Sequence, residues 1–173
     1  MITDFIDEFE RYRLVGEKAM AQVSLDGLNR VLAADTNSIG MLVHHISGNL
    51  RSRFTDFLSA DGEKPWRDRD SEFEQRRFTR EELDELWQQG WRTLRLALDG
   101  LSNSDLERTV IIRGVSLTVH AALSRSVAHV ATHVGQIVLL ARLLAEQEWE
   151  SLSIPRGGSR AYNQNPTREK RPG

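Results

Sequence analysis

The fold is decided by an apolar, helix-forming run near the end of the chain, SVAHVATHVGQIVLLARLLA (residues 126–145). Apolar residues recur at three- and four-residue steps from Val119 onward, the spacing of one face of an α-helix. We predict a single helix from about Val119 to Ala145, about 40 Å long. His129 and His133 stand four residues apart beside its apolar stripe, so their side chains lie on one face of the helix.

Three further segments carry the same helical spacing. We predict the first helix over residues 2–23, the second over residues 39–58 and the third over residues 79–98. Residues that commonly cap helices precede two of them: Asn37 or Ser38 before the second, and the capping box of Thr79 and Glu82 at the third. With the helix that contains the histidines, these segments predict an all-α four-helix bundle.

The connections predict where this bundle is elaborated. Residues 59–77, SADGEKPWRDRDSEFEQRR, form a long charged loop between the second and third helices, and loops of this length are usually functional or disordered. RTVIIRGVSLTV alternates around Gly114 and predicts a short hairpin before the fourth helix. We therefore predict one helical domain over residues 1–155 and a basic, partly disordered tail over residues 156–173.

Composition excludes several function classes. The 23 Lys and Arg against 25 Asp and Glu give a net charge of -2, which favours neither nucleic acid nor an anionic membrane. The chain has no cysteine, so disulfides, thiolate metal sites and a cysteine nucleophile are excluded. The N-terminus lacks signal-peptide features, and no consecutive apolar run approaches the roughly 20 residues of a membrane span. We expect a cytoplasmic protein.

Polar residues on two of the predicted helices share a spacing. His45 and Asn49 stand four residues apart beside the apolar face of the second helix, as His129 and His133 do on the fourth, where Gln136 follows. One polar strip on each helix predicts a pocket between them. An H-x-x-x-H pair suits a metal ion, but hydrogen-bonded helix residues without metal, or a buried polar network, have the same spacing.

Two motifs resemble the DinB/YfiT-like superfamily of metal-dependent enzymes: HHISGNLRSRF in the second helix and HVATHVGQI in the fourth. The run DFLSADGEKPWRDRDSEF resembles a branch of that superfamily catalogued as a domain of unknown function. The resemblance covers residues 1–155 and implies an up-down-down-up arrangement of the bundle. It also implies a mononuclear divalent ion, Zn²⁺ or Ni²⁺, held by His45, His129 and His133. Asn49, one turn from His45, and Gln136 are candidates to orient a ligand or the substrate, and an internal hydrogen bond is the alternative role for each.

The resemblance extends to function, because characterised members include thiol S-transferases that use bacillithiol or mycothiol. It implies a thiol S-transferase-like enzyme that activates a low-molecular-weight thiol for attack on a small electrophile. A non-catalytic metal-binding or stress-response module and a metal-assisted hydrolase are the alternatives, and no catalytic residue or general base is identified. The resemblance also implies a homodimer, to which Trp87 and Trp91 would contribute an apolar patch unless they belong to the core.

Four other residues have structural interpretations. His44 points away from its neighbour on the second helix and is expected to be a packing or surface residue. His120 lies about 13 Å along the fourth helix from the H-x-x-x-H pair, which is too far for a ligand but suits a residue that lines an entrance to the pocket. Arg53 and Asp56 are expected to anchor the charged loop through salt bridges.

Overall fold

The fold is mostly helical, with one two-stranded antiparallel sheet. A computed structural model describes residues 1–167 and residue 170. The helices and strands are, in chain order, α1 (Ile2–Met20), α2 (Leu25–Asn29), α3 (Ile39–Phe54), α4 (Arg80–Asp99), β1 (Thr109–Ile112), β2 (Val115–Thr118), α5 (Val119–Leu144) and α6 (Ser159–Tyr162). Short 3-10 turns occupy Ser71–Phe73 and Asn103–Glu107. The all-α class and the hairpin are therefore confirmed in outline.

The predicted caps start two of the long helices. Ser38 Oγ accepts the backbone N–H of Met41 at 3.2 Å and opens α3. Thr79 Oγ1 accepts the N–H of Glu82 at 3.1 Å, and Glu82 Oε2 accepts the N–H of Thr79 at 2.7 Å, which completes the box that opens α4. Each such cap satisfies backbone donors that have no partner inside the helix.

Two helix ends differ from the prediction. α1 ends at Met20 rather than Val23, and α3 ends at Phe54 rather than Leu58. Thr55 is already extended and Asp56 has a left-handed backbone with φ of 50°, so the chain leaves the helix axis there. The apolar spacing continues past this break because the residues of the following turn also pack on the core.

The long helices pack most extensively in two pairs, α1 with α5 and α3 with α4. Their apolar faces form the core, in which Leu42, Leu50, Leu94 and Leu123 are almost fully buried. Burying a side chain of this size stabilises the fold by about 1.5–3 kcal/mol relative to exposing it. Trp87 and Trp91 in α4 are only 3% and 6% exposed, so they belong to the core and form no dimer patch.

The charged loop docks on the hairpin. Arg113 and Gly114 form its two-residue turn with φ of 55° and 73°, the left-handed pair that matches the twist of the strands. The carboxylate of Asp61 accepts the N–H groups of both turn residues at 2.8 Å, and the Gly62 N–H donates to the carbonyl of Ile111 at 2.8 Å. The loop is thereby held against the hairpin, and its 3-10 turn packs on α3.

Arg53 anchors this loop as predicted, through a salt bridge to Glu63 at 3.2 Å. Asp56 does not: within residues 1–167 its carboxylate forms no salt bridge, and its backbone carbonyl instead accepts the N–H groups of Ser59 and Ala60. Its left-handed backbone lies in the turn that follows α3, so the side chain is exposed and does not continue the helix face.

α5 is long and apolar enough to cross a membrane by length and composition, with a mean hydropathy of 1.5 over its most apolar 18 residues. This differs from the count of consecutive apolar residues, because a mean over 18 residues tolerates the polar residues that stand among the apolar ones. In the fold, α5 packs along α1 and carries both residues of the H-x-x-x-H pair.

The tail contains α6, which the sequence did not predict. Residues 168, 169 and 171–173 lie outside the described part of the chain. The partial disorder expected of residues 156–173 therefore stays a prediction.

Candidate metal centre

Three histidines from two helices meet at one point. The ring of His45, from α3, lies 5.1 Å from that of His129 and 4.8 Å from that of His133, centroid to centroid. The two α5 rings are 4.5 Å apart. One ring nitrogen from each histidine lies within 4.8 Å of the others, so the cluster is able to hold a metal ion. The structure thus brings together the three predicted ligands.

Hydrogen bonds on the outer side of two rings define which nitrogen faces the cluster. Nδ1 of His45 lies 2.8 Å from Oε2 of Glu72, and Nδ1 of His133 lies 2.9 Å from Oε1 of Gln136. Both oxygens are acceptors, so each Nδ1 donates outward and each Nε2 is the nitrogen that faces the cluster. Metal-binding histidines are usually oriented in this way by a carboxylate or carbonyl partner. Gln136 thus forms an internal hydrogen bond and at the same time orients one of the predicted ligands.

The spacing of two of the three nitrogens fits a divalent ion after a small movement. Nε2 of His45 and Nε2 of His129 are 3.0 Å apart, which is also the distance of a hydrogen bond between two neutral imidazoles. Two ligands of tetrahedral zinc, at about 2.0–2.1 Å from the ion, are separated by about 3.3 Å. The pair needs to open by only about 0.3 Å, within the reach of a small χ rotation. Nδ1 of His129 is buried and has no partner within the described residues.

The two α5 histidines are neutral at ordinary pH. Burial, together with the neighbouring rings of His133 and His45, lowers the pKa of His129 to about 3. Burial also lowers the pKa of His133, against the opposing effect of its hydrogen bond to Gln136. A metal ion needs the unprotonated ring, so these residues are held in the form that ligates.

Glu72 belongs to the candidate metal centre, and the sequence did not predict it. Its side chain is only 3% exposed, and beyond its bond to His45 it accepts two hydrogen bonds from Arg67, both at 2.8 Å. Burial alone would raise the pKa of Glu72, but the hydrogen bonds from His45 and Arg67 outweigh it and the pKa lies below the usual value. Glu72 is therefore an anion that orients His45.

A cavity of about 500 Å³ opens beside the cluster, lined by all three histidines. Its walls combine aromatic and polar residues: Asn49, Phe54, Phe57, Phe73 and Ser126, together with Arg53, Arg67, Arg69, Arg113 and Arg125. Phe73, from the 3-10 turn in the charged loop, packs on His45 with centroids 4.6 Å apart. Asn49 lies in the cavity wall, one turn from His45.

The other candidates of the sequence lie elsewhere. His44 packs edge-on against Phe78 with centroids 5.8 Å apart, and His120 packs edge-on against Phe5 at 5.5 Å. Neither lines the cavity. Both observations agree with their exclusion as ligands.

The match to a known family spans nearly all of this fold. The family described as "Protein of unknown function (DUF1572)" matches residues 1–158. The chain belongs to the DUF1572 family. No curated protein and no solved structure matches this DUF1572 chain at a significant level. The family's description assigns no activity, so its function has to be inferred from the site.

Proposed function

We propose that this DUF1572 protein is a divalent-metal-dependent enzyme of the DinB/YfiT-like superfamily, with thiol S-transferase-like activity. The observation that carries the proposal is the convergence of His45, His129 and His133 on the wall of a cavity of about 500 Å³. The pairing of α1 with α5 and α3 with α4 supports the up-down-down-up four-helix bundle expected for that superfamily.

The donor set favours Zn²⁺ or Ni²⁺, because imidazole suits both ions and the described part of the cluster offers no thiolate and no fourth His or carboxylate. Three protein ligands leave at least one position for a small molecule, which is typical of catalytic sites. When bound, such an ion would lower the pKa of a thiol or water ligand and so supply a nucleophile at neutral pH.

The chain's own residues position and shield this site. Glu72 orients His45 and Gln136 orients His133, while Phe73 covers one face of the His45 ring. The chain has no cysteine, so the thiol arrives as a cosubstrate. In the proposed transfer, the thiol sulfur forms a bond to the electrophilic carbon, the leaving group departs with its electron pair, and the thiol proton passes to solvent.

The test is an assay of thiol consumption with a small electrophile such as 1-chloro-2,4-dinitrobenzene and a panel of low-molecular-weight thiols. We expect turnover that is lost on chelation, restored by Zn²⁺ or Ni²⁺, and absent in His129→Ala. His120→Ala is the matched control, since this histidine lies on the same helix outside the cavity. Unchanged turnover in His129→Ala would overturn the proposal.

Two other outcomes identify the alternatives. Metal-dependent hydrolysis without any thiol would identify a metal-assisted hydrolase, in which water takes the place of sulfur. Tight metal binding without turnover of any substrate would identify a non-catalytic metal-binding or stress-response module. In the latter case a fourth protein ligand should close the coordination sphere, and metal X-ray absorption would detect it.

We also propose that the protein is a cytoplasmic homodimer. The buried Trp87 and Trp91 do not contribute, whereas Leu139 and Leu143 expose 60% and 64% of their surface, one turn apart on α5. Light scattering on the wild type and on Leu139→Glu measures the mass. Loss of the dimer in Leu139→Glu would identify this face of α5 as the interface, and a wild-type monomer would refute the dimer.

A further inference from the structure

The cavity beside the histidines is strongly one-sided in charge. Five arginines line it, and among the described residues no Asp or Glu does. The whole chain carries a net charge of -2, so this is a local concentration of positive charge and not a general property of the surface. A cleft lined by one sign of charge focuses the electric field on small ions of the opposite sign.

Three of the arginines already have carboxylate partners behind the cavity wall. Arg67 is buried and makes both of its hydrogen bonds to Glu72. Arg53 and Arg113 share Oε2 of Glu63, at 3.2 and 2.7 Å. Two guanidinium groups share one carboxylate here, so the group keeps a net positive charge. The side chains themselves are held in place by their bonds to the loop.

The other two arginines are available to a ligand. Arg125, on α5, is exposed and has no hydrogen bond or salt bridge within the described residues. Arg69 lies over the ring of Phe73 at 5.0 Å, and its nearest carboxylate, that of Asp70, is 3.9 Å away and almost fully exposed. Phe73 itself packs on His45, so the guanidinium of Arg69 is held one ring away from the histidine cluster.

An unpartnered buried hydroxyl lies between Arg125 and the cluster. Ser126 is only 8% exposed and lines the cavity, and its Oγ has no hydrogen-bond partner in the part of the chain that the structure describes. It follows Arg125 directly and stands three residues before His129, on the same face of α5. A buried polar group without a partner costs free energy, and a ligand oxygen at this position would satisfy it. Asn49, in the facing helix, also has no hydrogen bond within residues 1–167 and lines the cavity.

We propose that this cavity binds the anionic group of a small molecule, a carboxylate or a phosphate, through Arg125 and Arg69, with Ser126 donating a hydrogen bond. Guanidinium groups form strong charge-assisted hydrogen bonds with both oxyanions. The substrate class is therefore a small acid whose reacting atom reaches the histidine cluster while its charge is held at the arginines. This inference rests on the proposed function for the reacting end of the ligand, but its anionic end is testable separately.

The experiment compares two probes that differ in one group, 3-mercaptopropionate and 3-mercaptopropan-1-ol, titrated into zinc-loaded protein by calorimetry. We expect the acid to bind at least about tenfold more tightly than the alcohol, in line with a charge-assisted hydrogen bond. Arg125→Ala should remove this preference, Ser126→Ala should reduce it, and added salt should weaken it. Arg142→Ala is the matched control, an exposed arginine on the same helix outside the cavity lining.

A second arm uses propionate and inorganic phosphate on protein stripped of metal, so that binding cannot come from the ion. Binding of one of these two anions that is lost in Arg125→Ala supports the inference, and it shows whether the site prefers a carboxylate or a phosphate. Equal affinity for the two thiol probes, or a preference that survives Arg125→Ala, overturns it while leaving the proposed function intact. If neither thiol binds but an anion still does so through Arg125, the thiol function fails and the anion site stands.

Discussion

Glu72 occupies the space that a side chain on residue 48 would fill. A Cβ atom at Gly48 would lie 2.8 Å from Cδ of Glu72 and still closer to its Oε1. The missing side chain in α3 therefore lets the carboxylate approach the helix and reach His45, one turn of the same face away. A single small residue thus connects the charged loop to the candidate metal centre.

Gly48→Ala tests this close approach. We expect the added methyl group to displace Glu72 and to lower zinc affinity by about tenfold or more, as changes behind a ligating histidine commonly do. The strain, about 1–3 kcal/mol, is partly offset by the helix preference of alanine. Competition titration against a chromophoric chelator measures the affinity. Gly135→Ala, where a Cβ would meet nothing within 4 Å, is the control and should leave affinity unchanged.

Glu72→Gln tests the charge rather than the shape of this residue. Glutamine fills the same space, but its amide oxygen accepts the hydrogen bond from His45 more weakly than a carboxylate does. It also leaves the buried guanidinium of Arg67 without a negative partner. We expect zinc affinity to fall by about 10- to 100-fold and the free energy of unfolding to fall by about 3 kcal/mol, since breaking a buried ion pair leaves an uncompensated charge. Urea unfolding and chelator competition measure the two effects. The exposed Glu74→Gln should change neither.

The local parts of the fold follow from the sequence. The capping residues Ser38 and Thr79 mark helix starts because they act on backbone within three residues, and the four-residue step of His129 and His133 fixes their common face. Adding His45 to the set required the polar strip on the second helix and a family resemblance. Whether the cluster binds metal stays a prediction.

The parts that the sequence did not reveal depend on long-range packing. Glu72 stands among many charges in the loop, with no spacing that distinguishes it, and is separated from His45 by 27 residues. Its role appears only when the loop folds back over α3. The early end of α3 has a related cause, because Phe57 keeps the apolar spacing of the helix while packing on the core from a turn.

Metal removal should lower thermal stability. A ligand that binds only the folded chain stabilises it by about 2.7 kcal/mol at 100 times its Kd. We expect chelation to lower the Tm of the zinc-loaded wild type and of His120→Ala, but to have no effect on the Tm of His45→Ala, His129→Ala or His133→Ala. Scanning calorimetry with and without chelator makes the comparison. An equal response of all five proteins would show that zinc binds elsewhere.

The contact of Asp61 with the hairpin turn should depend on pH. Backbone hydrogen bonds from Glu63, Gly114 and Arg113 lower the pKa of this carboxyl below 3.8. A lowered folded-state pKa means that the contact is fully present above pH 3.8 and is lost as the pH falls through the lower value. We therefore expect protection of the Arg113 and Gly114 amides from hydrogen exchange to hold at pH 5 and to decrease in stronger acid.

Asp61→Asn should reduce this protection already at pH 5. Each turn N–H group donates to a different oxygen of the carboxylate, whereas an amide has one acceptor oxygen, which is uncharged, and a nitrogen that does not accept. Exchange rates divided by the intrinsic rate of each amide make the two pH values comparable. Asp84→Asn, an exposed change on α4 with no partner in the described residues, should behave as the wild type. Equal protection in wild type and Asp61→Asn would mean that the strand pairing alone holds the turn.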